Sequence, residues 1–148
     1  TWTAPASPAG RVVLRLAAVD GNGAGRPMET LTDPFDDDVF TADADCDYEV
    51  VGGFRGDRAA FKAWLTEVMG LFEFHMHYVT NRAVVLDGDT ATAVSYLYNP
   101  CVLKGGDGTV LDEGGRYHDT LVRTPDGWRI TSRREEPVWH RWPPGLRP

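Results

Sequence analysis

The chain has 148 residues, a formal net charge of −7 and 42% hydrophobic residues. That is enough for one domain, residues 1–148, with a core of its own, and no run approaches the ~18 consecutive apolar residues of a membrane helix. The acidic balance argues against nucleic acid as the main partner, because phosphate binding needs a basic face. The two cysteines, Cys46 and Cys101, stand outside any Cys-x-x-Cys or Cys/His metal spacing. They read as reduced thiols of a cytoplasmic protein, and the opening residues carry no charged segment followed by an apolar run, the mark of a secretion signal.

Residues 1–10 are rich in Pro and Ala and read as irregular. Ser7-Pro8 resembles an N-cap with Pro at the first helical position. Apolar residues of the run 11–20 recur at three and four, which predicts a short amphipathic helix stopped by Gly21-Asn22-Gly23; a strand over residues 12–16 is the alternative. Glycines and Asp33-Pro34 interrupt residues 21–45. The acidic run Asp36-Asp37-Asp38 lacks the Gly and terminal Glu of a calcium loop. Val39-Phe40 and the residues up to Asp45 read as a helix end and a turn, and residues 46–51 as a short strand closed by Gly52-Gly53. After an N-cap at Asp57, Phe61, Trp64, Leu65, Val68, Met69 and Phe72 fall on one face of a helix. That aromatic stripe reads as core packing.

From Glu73 the pattern becomes that of strands. Four β segments, about residues 74–86, 90–103, 109–124 and 128–138, are separated by Asp87-Gly88-Asp89, Gly105-Gly106-Asp107-Gly108 and Pro125-Asp126-Gly127. Hairpin after hairpin gives an antiparallel meander. Helices followed by a meander define an α+β class: a cone-shaped, curved antiparallel sheet wrapped around N-terminal helices, with one central pocket suited to a small ligand. Residues 139–148 form an aromatic, Pro-rich tail that begins Trp139-His140-Arg141-Trp142, suited to capping the cone or packing on a partner subunit.

Several short motifs in order resemble one family. They are Phe40-Thr41-Ala42-Asp43-Ala44 followed by Asp47-Tyr48, then Gly52-Gly53, Ala63-Trp64-Leu65, His77-Tyr78-Val79-Thr80-Asn81 and Asp87-Gly88-Asp89-Thr90-Ala91. The run from Gly115 to Arg123 and then Asp126-Gly127-Trp128-Arg129 completes the set. Over roughly residues 40–134 the chain resembles a SnoaL-like member of the nuclear transport factor 2-like superfamily, similar in fold to scytalone dehydratase, polyketide cyclases and ketosteroid isomerases. The resemblance implies a cone with one deep, mostly apolar pocket, no metal, no organic cofactor, and a homodimer formed through the outer sheet face. The same cone also hosts non-catalytic modules.

His77 is the first candidate for chemistry, because the resemblance places a catalytic His on the strand after the long helix. A neutral imidazole takes a proton next to a carbonyl, and its conjugate acid returns it to a leaving hydroxyl. His75 shares the strand face of His77, but no third ligand at useful spacing makes this pair a metal site. His118 and Asp119 face opposite sides of their strand. By the family pattern, counted from Asp126-Gly127-Trp128, His118 is the pocket-facing residue and a second proton-transfer group. Asp20 stands where dehydratase-like members place an acid that orients the catalytic His, and such an acid fixes the tautomer and raises basicity. Tyr48 stands where they carry a phenol that polarises a carbonyl. Tyr96 and Tyr98 share one strand face and Asn99 the other, and either set can line the cone. Asn99 or Cys101 takes the place of the second catalytic His of scytalone dehydratase, a departure from that enzyme. Trp64 completes the candidate binding residues.

The reading is a cofactor-independent lyase or isomerase: a dehydratase or cyclase acting by His/Asp proton transfer on a small, apolar, oxygenated ring such as a polyketide or steroid-like molecule. One rival is an epoxide hydrolase on the same cone, with Arg82 or Arg116 in an Asp-Arg-Asp set. The other is a non-catalytic small-molecule-binding or assembly domain.

Overall fold

The turn signals of the C-terminal half set the frame of the molecule. The computed structural model describes residues 39–142 and, as backbone only, residues 11–12 and 18–20. The strands are β1 (Arg11–Val12), β2 (Ala18–Asp20), β3 (Phe40–Tyr48), β4 (Phe54–Gly56), β5 (Phe72–His75), β6 (His77–Asp87), β7 (Thr90–Leu103), β8 (Val110–Thr124) and β9 (Gly127–Arg141), with helices α1 (Glu49–Gly52) and α2 (Arg58–Met69). They form one sheet in the order β1-β6-β7-β8-β9-β3-β4, with β2 also on β6 and β5 on β7. β3 runs parallel to β9, with Cys46 opposite Arg133 and Asp47 opposite Arg134, and so brings the N-terminal side of the chain against the last hairpin.

Side-chain alternation along these strands defines an inner and an outer face. The β7–β8 ladder runs from Thr90↔Val122 to Val102↔Val110 without a register shift. Along β7, Ala91, Ala93, Ser95, Leu97 and Cys101 are therefore all buried, while Tyr96 and Tyr98 are exposed on the other side. Bulges bend the sheet where the ladder shifts. In β6 the shift between Thr80 and Ala83 holds Asn81 at φ 49°, a left-handed conformation that Asn tolerates better than most residues. The β8–β9 ladder shifts opposite Gly114/Gly115 and again opposite Thr120/Leu121, each time with one extra residue on β9, and a Cβ on Gly115 would come within 2.8 Å of the Glu136 carbonyl oxygen.

Helix α2 starts as its sequence predicts: the Asp57 side chain accepts a hydrogen bond from the Ala60 backbone N–H at 2.9 Å. It lays Phe61 and Trp64 against the inner face. Tyr48 stacks on Phe61 with ring centroids 4.7 Å apart, and Phe54 on Trp64 at 5.0 Å. Phe40, Ala44, Cys46, Tyr48, Phe61, Leu97, Tyr117 and Ile130 form the main core. Each large apolar side chain buried there contributes about 1.5–3 kcal/mol. A smaller cluster of Phe72, Cys101 and Leu111 lies under Val68, Met69, Leu103 and Trp142.

Four local expectations change. Segments 11–12 and 18–20 are strands paired with β6, not a helix; the β-branched Val12 and Val19 suit that pairing, and tertiary context overrides the weak helical period. Residues 40–48 form one strand with Phe40, Ala44, Cys46 and Tyr48 buried, and Glu49–Gly52 turn helically where a strand was expected to continue. Phe72 opens β5 instead of closing α2, because the helix is capped at Gly70. Trp139, His140 and Arg141 belong to β9, not to a tail, and the Trp139 ring lies 6.0 Å from that of Tyr98. The expectations for residues 21–38, the acidic run included, lie outside the described residues. Among the described residues no helix is long and apolar enough to cross a membrane.

Candidate active site

The inner face gathers its polar groups from three neighbouring strands and the start of a fourth. His77 begins β6, and its Nε2 lies 2.8 Å from the hydroxyl of Tyr117 on β8, a hydrogen bond. Tyr117 is buried with its ring 6.2 Å from that of Tyr48 on β3. From β9, Arg133 reaches the same region. Its guanidinium sits 4.2 Å from the centre of the Tyr117 ring and 5.2 Å from that of Phe40. It also donates two hydrogen bonds to the Asp119 carboxylate, Nε to Oδ1 at 2.7 Å and Nη2 to Oδ2 at 2.8 Å. This fork is the geometry in which Arg binds a carboxylate best.

Glu135 is the next inward residue on β9 and pairs with Tyr117 across the ladder. It is 5% exposed, and among the described residues its carboxyl makes no hydrogen bond or ion pair. Further along β8, Glu113 accepts a hydrogen bond from Asn99 Nδ2 at 3.1 Å. The Ser95 hydroxyl, opposite Tyr117 on β7, is fully buried and has no partner among the described residues.

Burial dominates the electrostatics. It lowers the pKa of His77 to about 4, and the positive charge of Arg133 and then His75 add to the effect. The imidazole is neutral at pH 7. Burial likewise pushes the Glu135 carboxyl up to about 8, with the negative charge of Glu113 acting in the same direction and Arg133 opposing it. Burial also raises Glu113, though Asn99 offsets part of this. The phenols of Tyr48 and Tyr117 are held protonated, again mainly by burial. Cys46 and Cys101 are pushed up to about 11 and about 12 by burial and so are not thiolate nucleophiles. The site therefore holds a neutral base, a carboxylic acid, phenolic donors and one guanidinium already bound to a carboxylate.

The sequence-derived candidates divide between the two faces. His77, Tyr48, Asn99 and Cys101 lie on the inner side, and Trp64 packs among Tyr48, Phe54 and Phe61. His118 does not face inward: parity along β8 turns Tyr117 and Asp119 to the inner face and His118 outward. There His118 Nε2 and Arg116 Nη2 both bond the Glu136 carboxylate, at 2.5 and 2.7 Å. Arg116 is thereby lost to an inner Asp-Arg-Asp set. Tyr96 and Tyr98 are outer-face residues, 48% and 41% exposed, and the Tyr98 hydroxyl donates to Asp112. The backbone of Asp20 is the ladder partner of His77; its side chain lies outside the described residues. Tyr117, Asp119, Arg133, Glu113 and Glu135 were not among the candidates. Among the described residues no cluster of three or more His, Cys, Asp or Glu is placed to hold a metal ion.

A curled sheet over one long helix, with a polar cluster on its concave side, is the architecture of the nuclear transport factor 2-like cone. The SnoaL-like domain family model matches residues 31–134, and the chain belongs to that family. The uncharacterized protein Rv2910c of Mycobacterium tuberculosis is 46% identical over 99 residues, 67% of each chain. The Kfla4162 protein of Kribbella flavida has a similar structure, 28% identical over 74% of this chain and 80% of that one, with a TM-score of 0.66. A protein of Novosphingobium aromaticivorans named provisionally as a scytalone dehydratase is 19% identical over 76% of this chain and 72% of that one, TM-score 0.62, a likeness of fold alone.

Proposed function

We propose that the protein is a cofactor-independent lyase or isomerase that removes a proton next to a carbonyl of a small, apolar ring compound. The observation that carries this reading is the buried His77–Tyr117 hydrogen bond. Tyr117, kept protonated by burial, donates, and Nε2 of the neutral imidazole accepts. A substrate C–H that takes the place of the hydroxyl meets the same lone pair. The displaced phenol then becomes a donor to the developing enolate oxygen, a preorganised dipole where charge appears. In this reading Tyr117, from the same strand, takes the inward place that the sequence suggested for His118, with Tyr48 beside it.

A base with so low a pKa accepts a proton only if something stabilises the imidazolium. Asp20, whose backbone pairs with that of His77, is the proposed partner for Nδ1, fixing the tautomer and restoring basicity. A single well-placed acid or base contributes roughly 10²–10⁴-fold, so the phenols and the base act together. The packed rings of Tyr48, Phe61 and Trp64 give the inner face an apolar floor beside the polar cluster, and one neighbour of the same fold bears a provisional dehydratase name.

The test is exchange of the protons next to the carbonyl of ring-bearing ketones in deuterium oxide, followed by proton NMR. Enzyme-dependent exchange that His77→Gln abolishes supports the reading. Exchange equal to buffer across a panel of such ketones, or exchange that survives His77→Gln, contradicts it and leaves the binding-module rival.

A further inference from the structure

We propose that Glu135 is the catalytic acid of this inner face and donates the proton on which the hydroxyl of a β-hydroxy carbonyl substrate leaves as water. The proposal rests on the reading of His77 as the proton acceptor, and it narrows the reaction class from any enolisation to a dehydration.

The placement of Glu135 is the first argument. It is the ladder partner of Tyr117, the residue bonded to His77, so the acid and the base flank one phenol on the same face. The second is that no group among the described residues bonds it. Its sequence neighbour Glu136, on the outer face, bonds both His118 and Arg116, whereas Glu135 is 5% exposed and has no hydrogen bond or ion pair among the described residues. Buried carboxyls without partners are rare, because burial costs free energy unless the group is bonded or neutral. The groups that face it are Glu113 and Tyr117 from β8, Arg133 from β9 and Tyr48 from β3. Arg133 has its guanidinium closed by two bonds to Asp119. It is therefore not an ion-pair partner in the resting state, but its charge stabilises a carboxylate once the proton has gone. Burial and Glu113 keep the proton on Glu135 near pH 7. A leaving hydroxyl needs such a donor, whereas double-bond migration returns the abstracted proton to carbon and needs none.

The step balances without a redox partner. His77 takes the proton from the carbon next to the carbonyl, and that C–H pair becomes the new C=C bond. The β C–O bond breaks, and its oxygen takes the proton of Glu135 and departs as water. The imidazolium and the carboxylate are then reset by transfer of one proton through water.

The probe is the aldol of benzaldehyde and acetone, a ring-bearing β-hydroxy ketone. Two rates are followed on the whole chain by proton NMR: deuterium exchange next to the carbonyl, and appearance of the unsaturated ketone. Glu135→Gln is expected to keep the exchange and to lose roughly 10²–10⁴-fold in elimination, while Glu135→Asp recovers part of it. In the wild type, elimination falls as pH rises through about 8, where Glu135 loses its proton. Glu113→Gln, which removes the negative neighbour, moves that limb to lower pH. Elimination at the wild-type rate in Glu135→Gln overturns the proposal, as does loss of both steps in a folded Glu135→Gln. If the wild type shows no exchange at all, the reading of His77 has failed and the proposal falls with it.

Discussion

His77 and Tyr117 stand 40 residues apart in sequence, and their side chains meet on the inner face of the sheet at 2.8 Å. The bond joins the first residue of β6 to the middle of β8, across β7. Burial, with the positive charge of Arg133, holds the imidazole neutral, and a neutral ring bonds the Tyr117 hydroxyl without needing a counter-charge.

Removing the hydroxyl tests this directly. Tyr117→Phe keeps the ring and its packing but leaves His77 Nε2 without its donor. Losing one partner of a buried bond costs about 1–3 kcal/mol, which urea unfolding measures. With Tyr117 as the proposed donor, the lost bond favoured the neutral imidazole, so the His77 pKa is expected to rise slightly while burial and Arg133 still hold it low. A variant as stable as wild type, with His77 unmoved, shows that the bond does not hold the ring.

The pH dependence of stability has two limbs of opposite sign. His77 is lowered from 6.5 to about 4, so between these pH values the unfolded chain binds a proton that the folded one does not. Stability from this group is complete above 6.5 and is lost as pH falls toward 4, by about 3 kcal/mol in all. Glu135 is raised from 4.5 to about 8, so the folded chain holds the extra proton. Its contribution is complete below 4.5 and is lost as pH rises through 8. Between 6.5 and 8 Glu135 acts without His77, and wild-type stability is expected to fall by up to about 1.4 kcal/mol per pH unit. Glu135→Gln flattens that limb and His77→Gln flattens the acidic one; equal slopes in all three proteins contradict both assignments.

The Asp119–Arg133 pair is a structural unit beneath the site. Both side chains are nearly buried, 4% and 9% exposed. Asp119→Asn leaves the guanidinium charge without its counterion and is expected to cost about 3–5 kcal/mol. The double variant Asp119→Leu with Arg133→Met, which buries no charge, is expected to regain much of that stability. Chemical unfolding of both decides the point, and a double variant less stable than Asp119→Asn counts against it.

Much of the fold was legible because hairpins declare themselves locally. Asp87-Gly88 and Asp126-Gly127 turn the chain with Gly88 at φ 57° and Gly127 at φ 114°, conformations that favour glycine. α2 carries both a cap and a periodic face. The N-terminal strands were not legible, since β1 and β2 are two and three residues long and exist only because β6 offers an edge. The site was half legible. His77 follows a readable helix, but β8 reads Arg116-Tyr117-His118-Asp119, and alternation alone does not say which parity points inward. β9 hides its chemistry in doublets: Arg133-Arg134 and Glu135-Glu136 look like a solvated charge run. A strand turns one member of each doublet inward and the other to solvent, and only the ladder to Tyr117 and Asp119 tells them apart.

His118 provides the converse check. Its ring lies on the outer face with Glu136, both about one-third exposed, and partly exposed pairs of this kind contribute little. His118→Gln is expected to leave proton exchange and folding essentially unchanged. A large loss of exchange in that variant would reverse the assignment of faces along β8.

Whether His77 is a buried, neutral proton acceptor is decided by NMR titration of the four histidines on wild type and on Asp20→Asn. His77 is expected to stay neutral well below its ordinary 6.5, toward about 4, and Asp20→Asn is expected to lower the midpoint further by removing the proposed negative partner. A His77 that titrates near 6.5 and ignores Asp20 contradicts that assignment.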